Sequence, residues 1–215
     1  MLVRLASLFA VALACAAAPA SAQTVLLNDS FNGENGGAGA AEYSGFANWS
    51  TANVDLLAPG YFFNLCQAAG GSTPCVDMEG SGNGSMTSKT AFDLAPGGVT
   101  IQFDLAGDQR GRNNNTVTAS LVSTLGAVLF SEVFSLAADA GFTTFTRSLT
   151  LADATSARLS FLSGGPADSM GLLLDNVVLS AGAVVATPVP EPSSVLLLSG
   201  GLALMGSLAR RRLRA

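Results

Sequence analysis

The segment Val99-Thr100-Ile101-Gln102-Phe103-Asp104-Leu105-Ala106 decides the fold class. Apolar side chains occupy every second position, and the positions between them are mostly polar. A period of two is that of a strand with one face in a core and one in water. The alternation recurs. Phe145, Leu149 and Leu151 are interleaved with Thr144, Thr146, Ser148 and Thr150, and threonine suits a pleated surface. Val117, Ala119 and Leu121 repeat it, Leu159 and Phe161 give another instance, and Val128, Phe130 and Phe134 follow it less strictly. Turn chemistry separates the runs: Gly80-Ser81-Gly82-Asn83-Gly84, Ala95-Pro96-Gly97-Gly98, Arg110-Gly111-Arg112-Asn113-Asn114-Asn115 and Gly164-Gly165-Pro166. No helical period of useful length lies between Gln23 and Ala186. The pattern predicts about nine to eleven strands. Its fold class is all-β: two antiparallel sheets packed face to face in a jelly-roll-like β-sandwich.

One run departs from alternation. Gly171-Leu172-Leu173-Leu174-Asp175-Asn176-Val177-Val178-Leu179 is apolar on both faces, which predicts a central, buried strand. Asp175 and Asn176 interrupt it, one expected on each side. A carboxylate there needs hydrogen bonds or a cation. Asn32–Ala41 is glycine-rich and reads as a loop.

Both ends are addresses rather than core, so the positive mean hydropathy misleads. Arg4, an apolar stretch Leu5–Ala18 and the A-x-A site Ala20-Ser21-Ala22 form a signal peptide over residues 1–22, a signal helix whose removal leaves Gln23 first. Lipidation at Cys15 is the weaker alternative, because Leu13 sits one place out and a better site follows. The tail runs from Val189 to Ala215. Pro190 and Pro192 flank Glu191 and hold an extended segment that a protease can bind. The apolar run Val195–Ala209, with Ser193 and Ser194, gives about 17 residues, the lower limit for a transmembrane helix. Arg210, Arg211 and Arg212 favour a cytoplasmic C-terminus.

This three-part tail resembles the PEP-CTERM sorting signal, on Val189, Pro190, Glu191, Pro192, the apolar helix and the arginines. The resemblance implies recognition and cleavage by an exosortase in a bacterium that makes exopolysaccharide. The expected order is signal peptide 1–22, ectodomain 23–180, linker 181–188 and sorting signal 189–215. The expected route is export, an inner-membrane-anchored precursor, then the cell surface or extracellular matrix.

Between Gln23 and Ala186 stand five basic and fourteen acidic residues, a net of −9. Nucleic acid as a partner requires a basic stripe, which is missing. The same balance argues against adhesion to an anionic membrane surface. Cys66 and Cys75 are the cysteines left after signal removal, and an even pair in an exported chain reads as a disulfide. The chain has no histidine. That excludes Ser–His–Asp and Cys–His catalysis in their usual forms, and zinc sites that need imidazole. The glycines at 36, 37 and 39 precede no helix, so they do not form a dinucleotide turn, and no P-loop is present.

The middle of the chain is also similar to galactose-binding-like carbohydrate modules. The similarity rests on Phe46-Ala47-Asn48-Trp49, Val54-Asp55-Leu56-Leu57, Val76–Gly82, Thr87-Ser88-Lys89-Thr90, Phe103–Gly111 and Gly171–Val177. It implies a structural calcium held by Asp175 and an early acid: Asp29, Glu34 or Glu42. It also implies a glycan partner such as exopolysaccharide. Exposed aromatics stack on sugar rings, so Trp49, alongside Tyr43 and Tyr61, is a candidate platform, and Arg110 and Arg112 with Asn113-Asn114-Asn115 form a polar loop tip that suits a glycan and a solvated turn equally. A lone tryptophan in a strand more often fills the core. Two carboxylate pairs, Asp77 with Glu79 and Asp104 with Asp108, are the candidates for glycoside hydrolysis. Acids displayed on an acidic surface account for them without chemistry. The overall expectation is a non-catalytic envelope or matrix protein, with a lectin-like module and a glycoside hydrolase as alternatives.

Overall fold

The computed structural model describes residues 23–71, 74–112 and 114–182. The signal peptide, most of the linker, the sorting motif, its apolar helix and the arginines lie outside the described residues. Among the described residues, no helix is long and apolar enough to cross a membrane.

Twelve strands build two antiparallel sheets. They are β1 (Gln23–Asp29), β2 (Trp49–Ala52), β3 (Asp55–Leu57), β4 (Cys75–Asp77), β5 (Ser85–Ser88), β6 (Phe92–Leu94), β7 (Gly97–Ala106), β8 (Thr116–Ser123), β9 (Val128–Ser135), β10 (Thr143–Leu151), β11 (Thr155–Gly164) and β12 (Leu173–Gly182). One sheet has the order β10-β7-β12-β4-β3, with β1 also on β12. The other has the order β2-β5-β11-β8-β9, with β6 also on β11. The only α-helix among the described residues is the single turn α1 (Leu65–Ala68). The fold is thus an all-β sandwich of two antiparallel sheets.

The alternating residues face each other across the sandwich. Val99, Ile101, Phe103 and Leu105 from β7, Val117, Ala119 and Leu121 from β8, and Leu159 and Phe161 from β11 are all fully buried. Phe103 meets Phe134 and Phe161 edge-on, at centroid distances of 5.1 and 5.2 Å. The seam between edge strands β9 and β10 is closed by a charge. Arg147 occupies an inward position of β10, forks onto Glu132 through Nε and Nη2 at 2.6 and 2.5 Å, and lies over the Phe134 ring. That hydrogen bonding holds the Glu132 carboxyl below its usual range and raises Arg147.

β12 is a central strand, with β7 on one side and β1 and β4 on the other. It is apolar on both faces because both are covered. Leu172, Leu174 and Val177 enter the main core. Leu173 enters a second, small core with Leu57, Leu65, Cys66, Ala69, Cys75 and Ala106. The excursion between β3 and β4 folds over the outer face of the sheet to form that core. Cys66 and Cys75 brace it as a disulfide, with Cα atoms 6.0 Å apart. β12 runs through Gly182, paired with Gln23, so the strand extends two residues into the span read as linker.

Register fixes two poles. Gln23 and Gly182, the ends of the described chain, pair at one end of β12. At its other end Leu173 pairs with both Asp77 and Ala106. Ten residues at ~3.3 Å separate these poles by roughly 30 Å. The terminal pole is where residues 183–215 continue; the opposite one is the distal pole.

Candidate functional site at the distal pole

The distal pole gathers the turn after β4, the 107–115 segment after β7, the 136–142 connection and the 164–171 loop before β12. Its centre is Asp77, which is 1% exposed. The Asp77 Oδ1 accepts from the backbone N–H groups of Glu79 and Gly171, both at 3.0 Å. The Arg110 Nη2 donates to Oδ2 at 2.5 Å. Burial pushes the Asp77 carboxyl up to about 7, against the pull of Arg110. Glu79 is enclosed beside it, and its Oε1 accepts from Ser163 Oγ at 2.9 Å. Burial raises Glu79 too, with the Asp168 charge adding to the effect. Asp108 is fully buried and accepts from the backbone N–H groups of Arg110 and Arg112 and from Asn115 Nδ2. Arg112 reaches Asp168 at 3.3 Å.

Beside this cluster lies a cleft of about 360 Å³ lined by Gln109, Gly111, Ala138 and Asp139. Gln109 takes a left-handed backbone, φ 59°, and its Nε2 donates to the carbonyls of Gly107, Ala138 and Ala140. That clamp ties the 107–115 segment to the 136–142 connection. Gly107 is needed there because a Cβ would run into the carbonyl oxygens of Ala137 and Ala138. Outside this cluster, the excursion between β3 and β4, which leaves the sheet at the Leu57–Cys75 end of those strands, carries an apolar tip. Phe62, Phe63 and Asn64 all have positive φ, and Phe63 is 85% exposed. Asn64 Oδ1 accepts from Gly60 N at 2.6 Å and holds this turn.

Several expectations are corrected here. Trp49 is fully buried: its Nε1 donates to Asp29 Oδ2 at 2.8 Å and its ring packs 5.8 Å from Phe161. With no free ring face it fills the core, the commoner role of a lone strand tryptophan, and only the glycan-platform alternative is overturned. Arg110 points inward onto Asp77, so its guanidinium does not present itself to a glycan. Asp29 and Asp175 do not share a calcium site, because strand alternation separates them. Asp29 follows Leu27 on the inner face, where it accepts from Phe31 N, Asn48 Nδ2 and Trp49 Nε1. Asp175 stands opposite Asp104, on the outer face with Leu173. At Asn176, φ 50°, β12 bulges, and Asn176 Nδ2 donates to Asp104 Oδ2 at 2.8 Å. Glu34 accepts from Ala47 N and Glu42 from Ser81 N; hydrogen bonding from the Ser81 hydroxyl first, and from its amide second, lowers the Glu42 carboxyl. Among the described residues, no three or more acidic, histidine or cysteine side chains form a group able to hold a metal. Asp77 and Glu79 are both enclosed and bonded to loops, so this pair does not flank a scissile bond.

Spacing in the sequence linked Asp77 to Glu79 and Arg110 to Arg112, but not one pair to the other. They are 33 residues apart at the Asp77–Arg110 contact, and no local signal reports such a contact. Phe62 and Phe63 are not singled out by the strand pattern; the signal in the sequence is two adjacent aromatics three residues ahead of Cys66, with nothing to mark which face they take.

No curated protein sequence matches the chain. Among solved structures, the K1 cleaved adhesin domain of Lys-gingipain from Porphyromonas gingivalis W83 is 18% identical. That match covers 74% of this chain and 99% of that one, with a TM-score of 0.45. A family 35 carbohydrate binding module from Clostridium thermocellum is 10% identical over 74% and 98% of the two chains, with a TM-score of 0.43. The C-terminal CBM6 of LamC from Zobellia galactanivorans is 14% identical over 62% and 93%, with a TM-score of 0.41. At the other end of the chain, the model of the PEP-CTERM protein-sorting motif matches residues 188–213, and the chain carries that motif.

Proposed function

We propose that this chain is an exported, non-catalytic component of the cell envelope or exopolysaccharide matrix, delivered by an exosortase. The signal peptide over residues 1–22 starts export, the apolar run Val195–Ala209 holds the precursor in the inner membrane, and Arg210–Arg212 set its topology. The exosortase then cuts near Pro190-Glu191-Pro192. The sorting motif at residues 188–213 carries this reading. The sandwich agrees with it, because the described chain ends at one pole and leaves the distal pole free to face outward. Mass spectrometry of the mature C-terminus tests it. Replacing Pro190, Glu191 and Pro192 with alanine is expected to leave a full-length, membrane-bound chain; unchanged processing would refute the assignment.

A second reading, a lectin-like module, is favoured by one observation: two adjacent phenylalanines stand out at the tip of a disulfide-braced excursion. Aromatic faces offer large contact area at low entropic cost. Gels containing the organism's own polysaccharide should retard the protein, and Phe63→Ala should abolish the retardation. Equal mobility of the two proteins in such gels would dismiss that site.

A further inference from the structure

The sheet β2-β5-β11-β8-β9 turns one face to the core and one to water. Strand register lays three rows across the outer face. The middle row is a line of hydroxyls: Ser50, Thr87, Ser160, Ser120 and Ser131, paired in that order. On its distal side stand Leu162, Thr118 and Val133. On its other side stand Arg158, Val122 and Val128. Val128, Val133 and Leu162 are 64%, 62% and 54% exposed, and Leu125, at the tip of the β8–β9 hairpin, is exposed as well. Three of the seven exposed large apolar side chains among the described residues therefore share this one face. A single exposed aliphatic is ordinary, whereas a group of them marks a contact surface.

Charge also sets this face apart. Residues 23–186 carry fourteen acids against five bases, a net of −9, yet the three rows hold no carboxylate. Glu132 of β9 turns into the seam with Arg147. Asp93, opposite Ser156, stands one row beyond Arg158, at the end of the face. Arg158 is the one charged side chain within the rows, and its Nη1 donates to the carbonyls of Ser88, at 2.6 Å, and Lys89. Two copies of so acidic a chain repel wherever their acids meet; on this face none would meet. The rows hold no aromatic ring on which a sugar could stack, so their chemistry suits a protein surface better than a glycan.

The face also fits itself. A cleft of about 510 Å³, whose lining includes Thr87, Val122, Arg158 and Ser160, hollows the Arg158 side of the hydroxyl row. Leu162 stands out on the opposite side, also two residues from Ser160. We propose that a second copy of this chain docks on this face, related to the first by a two-fold axis running along the hydroxyl row. That rotation sets each copy's Leu162 over the other's cleft and each Val133 over a Val128. It lays the hydroxyl rows against each other and keeps the two Arg158 side chains on opposite sides of the axis. Such a contact is isologous and closes at two copies. Five strands ~4.8 Å apart and eight residues at ~3.3 Å make a face of roughly 24 by 26 Å. Two such faces bury about 1,200 Å², the lower edge of a specific interface, so the dimer is a weak one that exchanges.

Sedimentation equilibrium of the full chain, in detergent matched to the solvent density, reads the association. A monomer–dimer equilibrium is expected with Kd on the order of 10 μM, tightened by added salt, which screens the repulsion between two acidic chains. Leu162→Glu should raise Kd at least tenfold. Leu162→Ser, which matches the neighbouring Ser85 and Thr118, should raise it severalfold and serves if the charged variant does not fold, as judged by the emission of Trp49. Phe63→Glu, on the excursion outside this face, should dimerise as the parent does. The proposal fails if the chain stays monomeric up to roughly millimolar concentration. It fails if Leu162→Glu associates as the parent does, which would place the contact in the tail, or if Phe63→Glu abolishes the dimer. A monomeric parent that the organism's polysaccharide retards in gels, with the retardation lost in Leu162→Glu, would give the face to a glycan and overturn the proposal.

Discussion

Asp29→Ala tests whether the interior is organised around the Asp29–Trp49 pair. The Asp29 carboxylate accepts from Phe31 N at 2.9 Å, Asn48 Nδ2 at 3.0 Å and Trp49 Nε1 at 2.8 Å. Two of these donors, the Phe31 amide and the indole, are enclosed. Leaving a buried donor unmade costs about 1–3 kcal/mol, so the two together cost roughly 3 kcal/mol on a moderate estimate. For a domain of this size that lowers Tm by about 6–12 °C. Urea unfolding followed by the emission of Trp49, the one tryptophan, measures the loss at its source. Asp29→Asn keeps one acceptor oxygen for the indole and should lose less than half as much. A loss below about 0.5 kcal/mol in Asp29→Ala would show that water or another group replaces the carboxylate. The account of Trp49 as a pinned core residue would then be wrong. Iodide quenching gives a second check: Trp49 should be protected in the native protein, and quenching as efficient as in urea would refute its burial.

Reduction of Cys66–Cys75, or Cys66→Ser with Cys75→Ser, should lower stability by about 3 kcal/mol through the freed loop entropy, read from urea curves with and without reductant. The effect should centre on the excursion, with faster amide exchange at Leu65 and Ala69 than in β7. For Asp77, burial favours the protonated form in the folded state, raising it from 3.8 to about 7. Its stabilising contribution is therefore complete below about pH 4, declines as pH rises and is gone above about pH 7. The slope approaches roughly 1.4 kcal/mol per pH unit within that window. Unfolding curves in EDTA across pH 4–8 should show this decline, and Asp77→Asn should flatten it; an equal slope in the variant would assign the titration elsewhere.

Strand character was legible because it is local. The alternation of Val99, Ile101, Phe103 and Leu105 is a period that a single strand imposes by itself, and burying one face requires a second sheet. The two-sided apolar run Leu172–Leu174 likewise announced a covered strand. The sorting motif was also readable residue by residue, since proline geometry, apolar length and a basic end act without tertiary contacts. What covers the outer face of β12 was not readable, because it depends on where the excursion between β3 and β4 folds. The direction of Trp49, Arg110 and Asp29 was decided by the tertiary structure alone. Their partners come from distant strands, and whether a tryptophan or a carboxylate faces core or solvent depends on a register that no single segment contains. The distal cluster is the sharpest case. Asp77, Glu79, Asn115 and Asp168 come together only when four separate connections meet, and it is burial at that meeting point that raises the Asp77 and Glu79 carboxyls.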